Sequence, residues 1–432
     1  MKINIVGLGY VGQTLAVVLA DVGFEVYGSE KDEKTLDAIR KCQSHIKEPG
    51  INLLLKKHLN QNLFVGNPEE MYKNDVDAFI IAVTSPVDKK TKLPNVDIVK
   101  AAVYEIKDHL RPGQCVFLRS TVPVGTTRSI IKPILEESGL KAGEDFYLAF
   151  TPERTIEGSA LKELRILPQV IGGINDKSVD EAAKIFRHTT PTIVCVSSLE
   201  AAELIKLLDN SYRDVRFAYA NEVARYCEKI GLNTFEVVNA TNQGYPRNNI
   251  PVPSPGVGGA CLTKDPYILV DCARKVGETL NLISKAREIN EQVTEHMVEE
   301  LKKHGPLKGK RVFIAGFAFK GKPETNDMRE SPTLDLVKHL SSENVFITGF
   351  DPCVEDEKIR SLGVEYVNNV EDGVKDVDVA IFMTNHDHFS NLDVKEIFSK
   401  MIKGGIIYDG WGLFKKQEVE SLGLIYKGVG IG

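Results

Sequence analysis

Ile3-Asn4-Ile5-Val6-Gly7-Leu8-Gly9-Tyr10-Val11-Gly12 is the stretch that decides how this chain folds. Ile3 to Val6 is a short apolar run of the kind that becomes a buried parallel strand. Leu15, Val18 and Leu19 continue behind the glycines with helical spacing. The glycines therefore form Gly-x-Gly-x-x-Gly in a strand–turn–helix setting. Gly7 makes the turn, Gly9 admits a pyrophosphate and Gly12 packs helix on sheet. Unpaired N–H groups at the helix start then face the phosphates. The next strand, Phe24 to Tyr27, runs into Gly28-Ser29-Glu30. An acidic residue about twenty positions after the fingerprint holds a ribose hydroxyl in NAD enzymes. Glu30 therefore favours NAD over NADP, with a solvated turn carboxylate as the plainer alternative. Lys31 and Lys34 leave a smaller opening for a 2′-phosphate.

Strands and helices alternate from there. Ala78 to Val83 ends in Thr84-Ser85-Pro86. Cys115 to Leu118 ends in Arg119-Ser120-Thr121-Val122-Pro123-Val124-Gly125-Thr126-Thr127, and Tyr147 to Phe150 ends in Thr151-Pro152-Glu153-Arg154. Hydroxyls and charges just past several strand ends mark the ligand edge of an open α/β sheet. Thr192 to Val196 is expected to close this first domain.

A long helix is predicted over Leu199 to Lys229. Its first turns read as apolar on nearly all sides and hence buried. Lys206, Asn210 and Arg213 share one face. A lysine there needs a partner or a task, unless it snorkels to water. Val215, Tyr219, Val223 and Tyr226 read as a core or dimer spine.

Beyond Gly244-Tyr245-Pro246-Arg247-Asn248-Asn249-Ile250 lies Gly256-Val257-Gly258-Gly259-Ala260-Cys261-Leu262-Thr263-Lys264-Asp265. Glycines here let the backbone turn and a ligand approach. A thiolate at Cys261 would be a strong nucleophile, and Lys264 would help keep it ionised. The plain alternative is a buried packing cysteine. Helices fill about 266 to 304, and Gly305-Pro306 with Gly309 marks a linker. A second strand–turn–helix unit opens at Arg311, with Val312 to Gly316 and a decayed glycine pattern. Strands follow at Val345 to Thr348, Val379 to Met383 and Gly405 to Tyr408.

The fold class is therefore α/β: two Rossmann-like, doubly wound lobes joined by a long central helix and helical domain. The expected divisions are 1–197, 198–304 and 305–432. The chain has 432 residues and a formal net charge of -6, which argues against a nucleic-acid binder. Seven cysteines without a CxxC pair read as reduced thiols of a cytoplasmic protein, with no metal expected. No signal-peptide pattern or membrane-spanning run is read, so no membrane partner is expected.

Taken in order, the glycine fingerprint, Ser120-Thr121-Val122-Pro123, Pro152-Glu153, Lys206 to Asn210, Gly258-Gly259-Ala260-Cys261 and Phe317-Ala318-Phe319-Lys320 resemble the UDP-glucose/GDP-mannose dehydrogenase family. The resemblance covers essentially the whole chain. Members oxidise a primary alcohol of a nucleotide sugar to a carboxylate with two NAD⁺. Pro152-Glu153-Arg154 and Tyr245-Pro246-Arg247 resemble the branch acting on UDP-N-acetylhexosamines, above all UDP-N-acetylmannosamine. Glu157-Gly158-Ser159-Ala160 is more similar to the UDP-glucose and GDP-mannose branches. Ser85 departs from the usual Thr-Pro, and Asp409-Gly410-Trp411 stands where many members have Asp-x-Arg.

The resemblance implies that Cys261 forms a thiohemiacetal and then a thioester. It gives Lys206 and Asn210 oxyanion stabilisation, and makes Asp265, Thr121 and Glu153 candidates to position base and water. It implies NAD held by Gly7, Gly9, Tyr10, Val11, Gly12, Glu30, Lys34, Thr84, Thr121, Lys264 and Arg329. The UDP-sugar would be held by Arg154, Thr155, Lys206, Asn210, Arg213, Tyr245, Arg247, Gly258, Phe319 and Lys320, with the UDP on the C-terminal lobe. Arg247 would reach a neighbouring subunit's site in a homodimer or larger homo-oligomer. Two rivals are a two-electron hydroxyacid dehydrogenase, which has no use for the Cys261 loop, and a silent NAD-binding regulator, which should lack Cys261 or Lys206.

Overall fold

A computed structural model describes residues 1–432. Two compact units emerge, one formed by 1–209 with 267–279 and the other by 210–266 with 280–432. The predicted central segment 198–304 is shared between them.

The first unit is built on eight strands: β1 (Lys2–Val6), β2 (Glu25–Ser29), β3 (Leu63–Gly66), β4 (Ala78–Ile81), β5 (Cys115–Leu118), β6 (Tyr147–Phe150), β7 (Gln169–Gly173) and β8 (Ile193–Val196). Their order is β3-β2-β1-β4-β5-β6-β7-β8. Neighbours run parallel except β6 and β7, which are antiparallel. The central strands β1, β4, β5 and β6 are buried on both faces, which is why they read as apolar runs rather than alternating. Ile3, Ile5, Ile80 and Phe117 fill one face, while Val6, Phe79, Ile81 and Leu118 fill the other. Val6 stands opposite both Ser29 and Ile81. Gly7, Glu30 and Ala82 thus leave the sheet together, where the strand order reverses.

The second unit repeats the plan with β9 (Arg311–Ala315), β10 (Phe346–Phe350), β11 (Glu365–Tyr366), β12 (Val379–Phe382), β13 (Ile406–Asp409) and β14 (Ile425–Gly428). The order is β11-β10-β9-β12-β13-β14, all parallel. Ala315 stands opposite Phe350 and Phe382, so Gly316, Asp351 and Met383 also leave together.

The long helix spans Leu199–Ile230. Leu208 is exposed while Lys206 is only 8% exposed. This corrects the expectation that its first turns are apolar all round: the apolar surface is one-sided and the lysine lies on the buried side. Tyr219 and Tyr226 are likewise exposed at 54% and 64%, so neither belongs to the core of this chain. No helix is long and apolar enough to cross a membrane.

Candidate active site

The C-terminal ends of β1, β2 and β4 enclose a cleft of about 470 Å³ in the first unit. Gly7, Gly9, Glu30, Lys31, Tyr72 and Thr84 are among its lining residues. Each fingerprint glycine has a separate physical reason. Gly7 has φ +90, and a side chain there would press on Val83 and the Ala82 carbonyl. A Cβ on Gly12 would lie 1.8 Å from the Gly7 carbonyl oxygen, so only glycine lets the helix Tyr10–Asp21 sit on the turn. Gly9 has no atom within 4 Å of such a Cβ, leaving open space at the helix start. That combination fits a dinucleotide pyrophosphate.

Glu30 accepts from the Leu8 N–H at 2.8 Å and from the Lys31 N–H at 2.8 Å. Its carboxylate is thus fixed at the cleft wall by backbone donors. Lys31 lines the cleft and is paired with Glu105 at 2.5 Å, while Lys34 lies exposed outside the lining. The Tyr10 side chain is tied by its hydroxyl to Glu48, and accepts from the Gly158 N–H at 2.9 Å. NADP⁺ should support initial rates at least about tenfold below those with NAD⁺, since a second anion would meet an immobilised carboxylate. Parallel rate measurements with both cofactors check this, and equal rates would contradict it.

Past β5 and β6 the unit carries a buried charged network that the sequence did not reveal. Arg119 donates to Glu153 Oε2 from Nε at 3.1 Å and from Nη2 at 2.5 Å. Its other nitrogen donates to the Thr151 carbonyl and to Gln169. Glu153 Oε1 accepts from the N–H groups of Arg154 and Thr155 at 2.7 Å each. Burial alone would raise the Glu153 pKa, but Arg119, the Thr155 N–H and the charge of Lys206 outweigh it and hold the carboxyl below its usual range. Glu153 therefore serves better as a fixed negative charge than as a proton acceptor at neutral pH. Lys206 makes no ion pair, and Arg154 is paired with Asp209 at 2.7 Å. Thr121 lies in a loop whose start is pinned by the Ser85 hydroxyl on the Thr121 carbonyl. The same loop is held further on by Glu203, which accepts from the N–H groups of Gly125 and Thr127. Burial carries the Glu203 pKa up to about 7.

In the second unit Cys261 is exposed, which removes the packing reading. Its carbonyl accepts from the Asp265 N–H at 2.9 Å, placing it directly before the helix Asp265–Lys275. The positive end of a helix favours a thiolate there. The Lys264 ammonium is 2.6 Å from Asp265 Oδ1. Asn210 Nδ2 donates to Asp265 Oδ2 at 2.6 Å. The buried Asp265 carboxylate thus fixes Asn210 and Lys264 together.

The glycines before Cys261 admit protein rather than open space. Side chains at Gly258 or Gly259 would collide with Phe319, and at Gly258 also with the Glu330 carbonyl and Pro332. Beneath the loop Arg287, 2% exposed, donates to Asp214 at 2.6 Å and to the carbonyls of Leu262 and Val257 at 3.0 and 3.2 Å. Asn290 also donates to Asp214. Neither Arg287 nor Asp214 carried a sequence signal, because their partners are distant in the chain.

The remaining expected residues sit apart from this network. Arg213 is exposed. Arg247 stacks on Tyr245, its Cζ 4.5 Å from the ring centre, at the surface. Lys320 lies over the Phe319 ring, and Arg329 is bound by both oxygens of Asp327. Trp411 donates its indole N–H to the Met383 carbonyl at 2.9 Å.

Three family descriptions match in order. The NAD binding domain of the UDP-glucose/GDP-mannose dehydrogenase family matches residues 1–190, its central domain 200–292 and its UDP binding domain 313–416. A UDP-N-acetyl-D-mannosamine dehydrogenase of Methanococcus aeolicus is 34% identical over 94% of this chain and 90% of its own. The structure of a UDP-D-ManNAc dehydrogenase from Pyrococcus horikoshii superposes with a TM-score of 0.91 at 31% identity, covering 100% of both chains. A UDP-glucose dehydrogenase from Pyrobaculum islandicum gives 0.89 at 26% identity, over 100% of this chain and 98% of that one. With a cleft shaped for a dinucleotide and all three domain matches in sequence order, the chain belongs to the UDP-glucose/GDP-mannose dehydrogenase family and is an NAD-dependent oxidoreductase.

Proposed function

We propose that this enzyme oxidises the 6-hydroxyl of a UDP-N-acetylhexosamine, preferably UDP-N-acetyl-D-mannosamine, to the uronate in two hydride transfers joined by a Cys261 adduct. The observation that carries the chemistry is an exposed thiol at a helix start, beside a buried Asn210–Asp265–Lys264 network. NAD⁺ accepts the hydride in each transfer, and the residues around Gly9 and Glu30 hold it.

The chain's own groups do the rest. After the first oxidation the Cys261 thiolate adds to the aldehyde carbon, and the carbonyl oxygen becomes an alkoxide. An aldehyde has no second hydride to give at the acid level until this adduct exists. Loss of hydride restores the C=O as a thioester. Water then adds, the C–S bond breaks, and carboxylate and free thiolate part. Two hydrides leave the sugar and one water oxygen enters it. Lys206 and Asn210 stabilise the successive oxyanions, and Lys206 can pass a proton. Asp265 positions Asn210, while Glu153 offsets the charge of Lys206. Thr121 orders water. Arg154, Thr155, Arg213, Tyr245, Arg247, Gly258, Phe319 and Lys320 are assigned to the UDP-sugar.

The sugar choice is supported by Arg154, by Tyr245-Pro246-Arg247 and by the names of similar proteins. UDP-glucose is the second reading, favoured by Glu157-Gly158-Ser159-Ala160 and by the near-equal superposition of a UDP-glucose enzyme. A panel of UDP-hexoses with NADH readout decides between them. UDP-N-acetyl-D-mannosamine should give the highest kcat/KM, and UDP-glucose exceeding every N-acetylated sugar would overturn the assignment.

The oligomer is assigned to the exposed row Tyr212, Tyr219 and Tyr226, at 65%, 54% and 64% exposure and seven residues apart. A tyrosine stripe of this kind suits a homodimer face. Replacing Tyr219 and Tyr226 with glutamate should convert a dimer to a monomer in sedimentation. A wild-type monomer, or an unchanged dimer in the double variant, would contradict it.

A further inference from the structure

The second lobe carries its own acidic residue at the switch point, next to a cluster of side chains that bear donor atoms for a metal. Asp351 follows β10 as Glu30 follows β2. Its Oδ2 accepts from the N–H groups of Phe317 and Ala318 at 2.6 and 2.9 Å, closing the turn where the first lobe leaves open space. Asp351 also faces His386 Nε2 at 3.5 Å, an ion-pair distance without an aligned hydrogen bond. The other ring nitrogen, Nδ1, points at Cys353 Sγ at 3.9 Å and Glu324 Oε1 at 3.5 Å. Cys353 Sγ is 3.7 Å from the second Glu324 oxygen.

We propose that Glu324, Cys353 and His386 form a binding site for a zinc-like divalent transition metal, with a fourth position left for water. One donor atom from each lies within 4.8 Å of the others. Zinc bonds of about 2.0 Å to nitrogen or oxygen and about 2.3 Å to sulfur place tetrahedral donors about 3.3 to 3.5 Å apart. The observed separations exceed that by a few tenths of an ångström, so small side-chain movements suffice. The donor set selects the metal class. A thiolate and an imidazole disfavour magnesium and calcium, which prefer oxygen ligands. Asp351 lies on the Nε2 side of the ring, and Nδ1, on the side of Cys353 and Glu324, is the nitrogen placed to ligate. A second acidic–histidine group, Glu228, His296 and Glu300, lacks both features. Its His296–Glu228 contact of 2.6 Å is a direct hydrogen bond, and it has no thiol.

The three ligands come from separate segments: the connection after β9, the end of β10 and the end of β12. The wide spacing explains why no metal pattern was visible in the sequence. Without metal, burial would lower the His386 pKa, but Asp351 and then Cys353 outweigh it and carry it up to about 9. Metal ligation requires a neutral imidazole and a thiolate, so binding should weaken as the pH falls. The connection bearing Glu324 also carries Phe319 and Glu330, which pack on Gly258 and Gly259. A bound metal would brace that connection against the ends of two strands.

The test uses the full-length protein after chelator treatment, titrated with Co²⁺ and then Zn²⁺. Wild type should develop a thiolate-to-cobalt charge-transfer absorption saturating at one equivalent, lost when Zn²⁺ is added. Cys353→Ser should abolish the absorption, while Cys195→Ser and Cys261→Ser, which alter the two exposed cysteines, should retain it. Losing even an outer-shell partner weakens metal binding about 10–100-fold, so Glu324→Gln should weaken it at least about tenfold. Zn²⁺ should raise the Tm of wild type and leave that of Cys353→Ser unchanged, which shows that the variant is folded and unresponsive. No absorption in wild type, or its persistence in Cys353→Ser, overturns the proposal.

Discussion

Cys261→Ser is expected to lose carboxylate formation by at least about a thousandfold, equivalent to roughly 4 kcal/mol of barrier. A free cysteine with an ordinary pKa of about 8.5 is partly thiolate near neutrality, whereas a serine hydroxyl is not ionised. The helix start behind the residue favours the thiolate further. The first hydride transfer needs no thiol, so the variant should still release some aldehyde or hold a slowly turning ester. Because Cys261 is exposed, serine should leave the Tm nearly unchanged. Mass spectrometry of the product, with thermal melts of both proteins, separates the outcomes. Wild-type acid formation by Cys261→Ser would remove the covalent step.

Arg287→Met should produce the largest structural effect. The guanidinium is held by Asp214 and itself holds two carbonyls flanking Cys261, those of Val257 and Leu262. Removing one partner of a buried pair costs about 3–5 kcal/mol. For a unit of this size that corresponds to a fall in Tm of roughly 10 °C. Burial already carries the Asp214 pKa up to about 6, against the pull of Arg287. Without Arg287 the carboxyl would rise further and take up a proton, which limits the loss. The catalytic consequence runs through the loop: kcat should fall more than KM changes. Arg287→Lys restores a charge beside Asp214 but lacks the planar fork for both carbonyls. It should regain part of the Tm while kcat stays low. Wild-type Tm and kcat in Arg287→Met would show that the loop holds its shape unaided.

The sequence was most readable where one local rule acted alone. Cys115–Leu118 and Tyr147–Phe150 are continuous apolar runs buried on both faces, and their ends were read to the residue. The glycine fingerprint gave the cleft because Gly7 and Gly12 answer backbone constraints that no other residue meets, while Gly9 leaves open space at the helix start. Leu63–Gly66 and Gln169–Gly173 were missed: the first is only half-buried, and the second reverses direction against β6. Charged networks were the least legible part. Arg119 meets Glu153 across 34 positions and Arg287 meets Asp214 across 73, so neither leaves a local pattern. Pairing of the Lys264 ammonium with the adjacent Asp265 was not legible either, because sequence adjacency does not fix side-chain direction.

A four-electron oxidation is read most plainly from the ratio of NADH formed to UDP-N-acetyl-D-mannosamine consumed. Complete conversion of a limiting, weighed amount of substrate should yield two NADH per sugar with the uronate as sole product. One NADH per sugar, with aldehyde or ketone accumulating, would identify a two-electron dehydrogenase and rule out the thioester route, and no NADH at all would leave an NAD-binding protein without this chemistry.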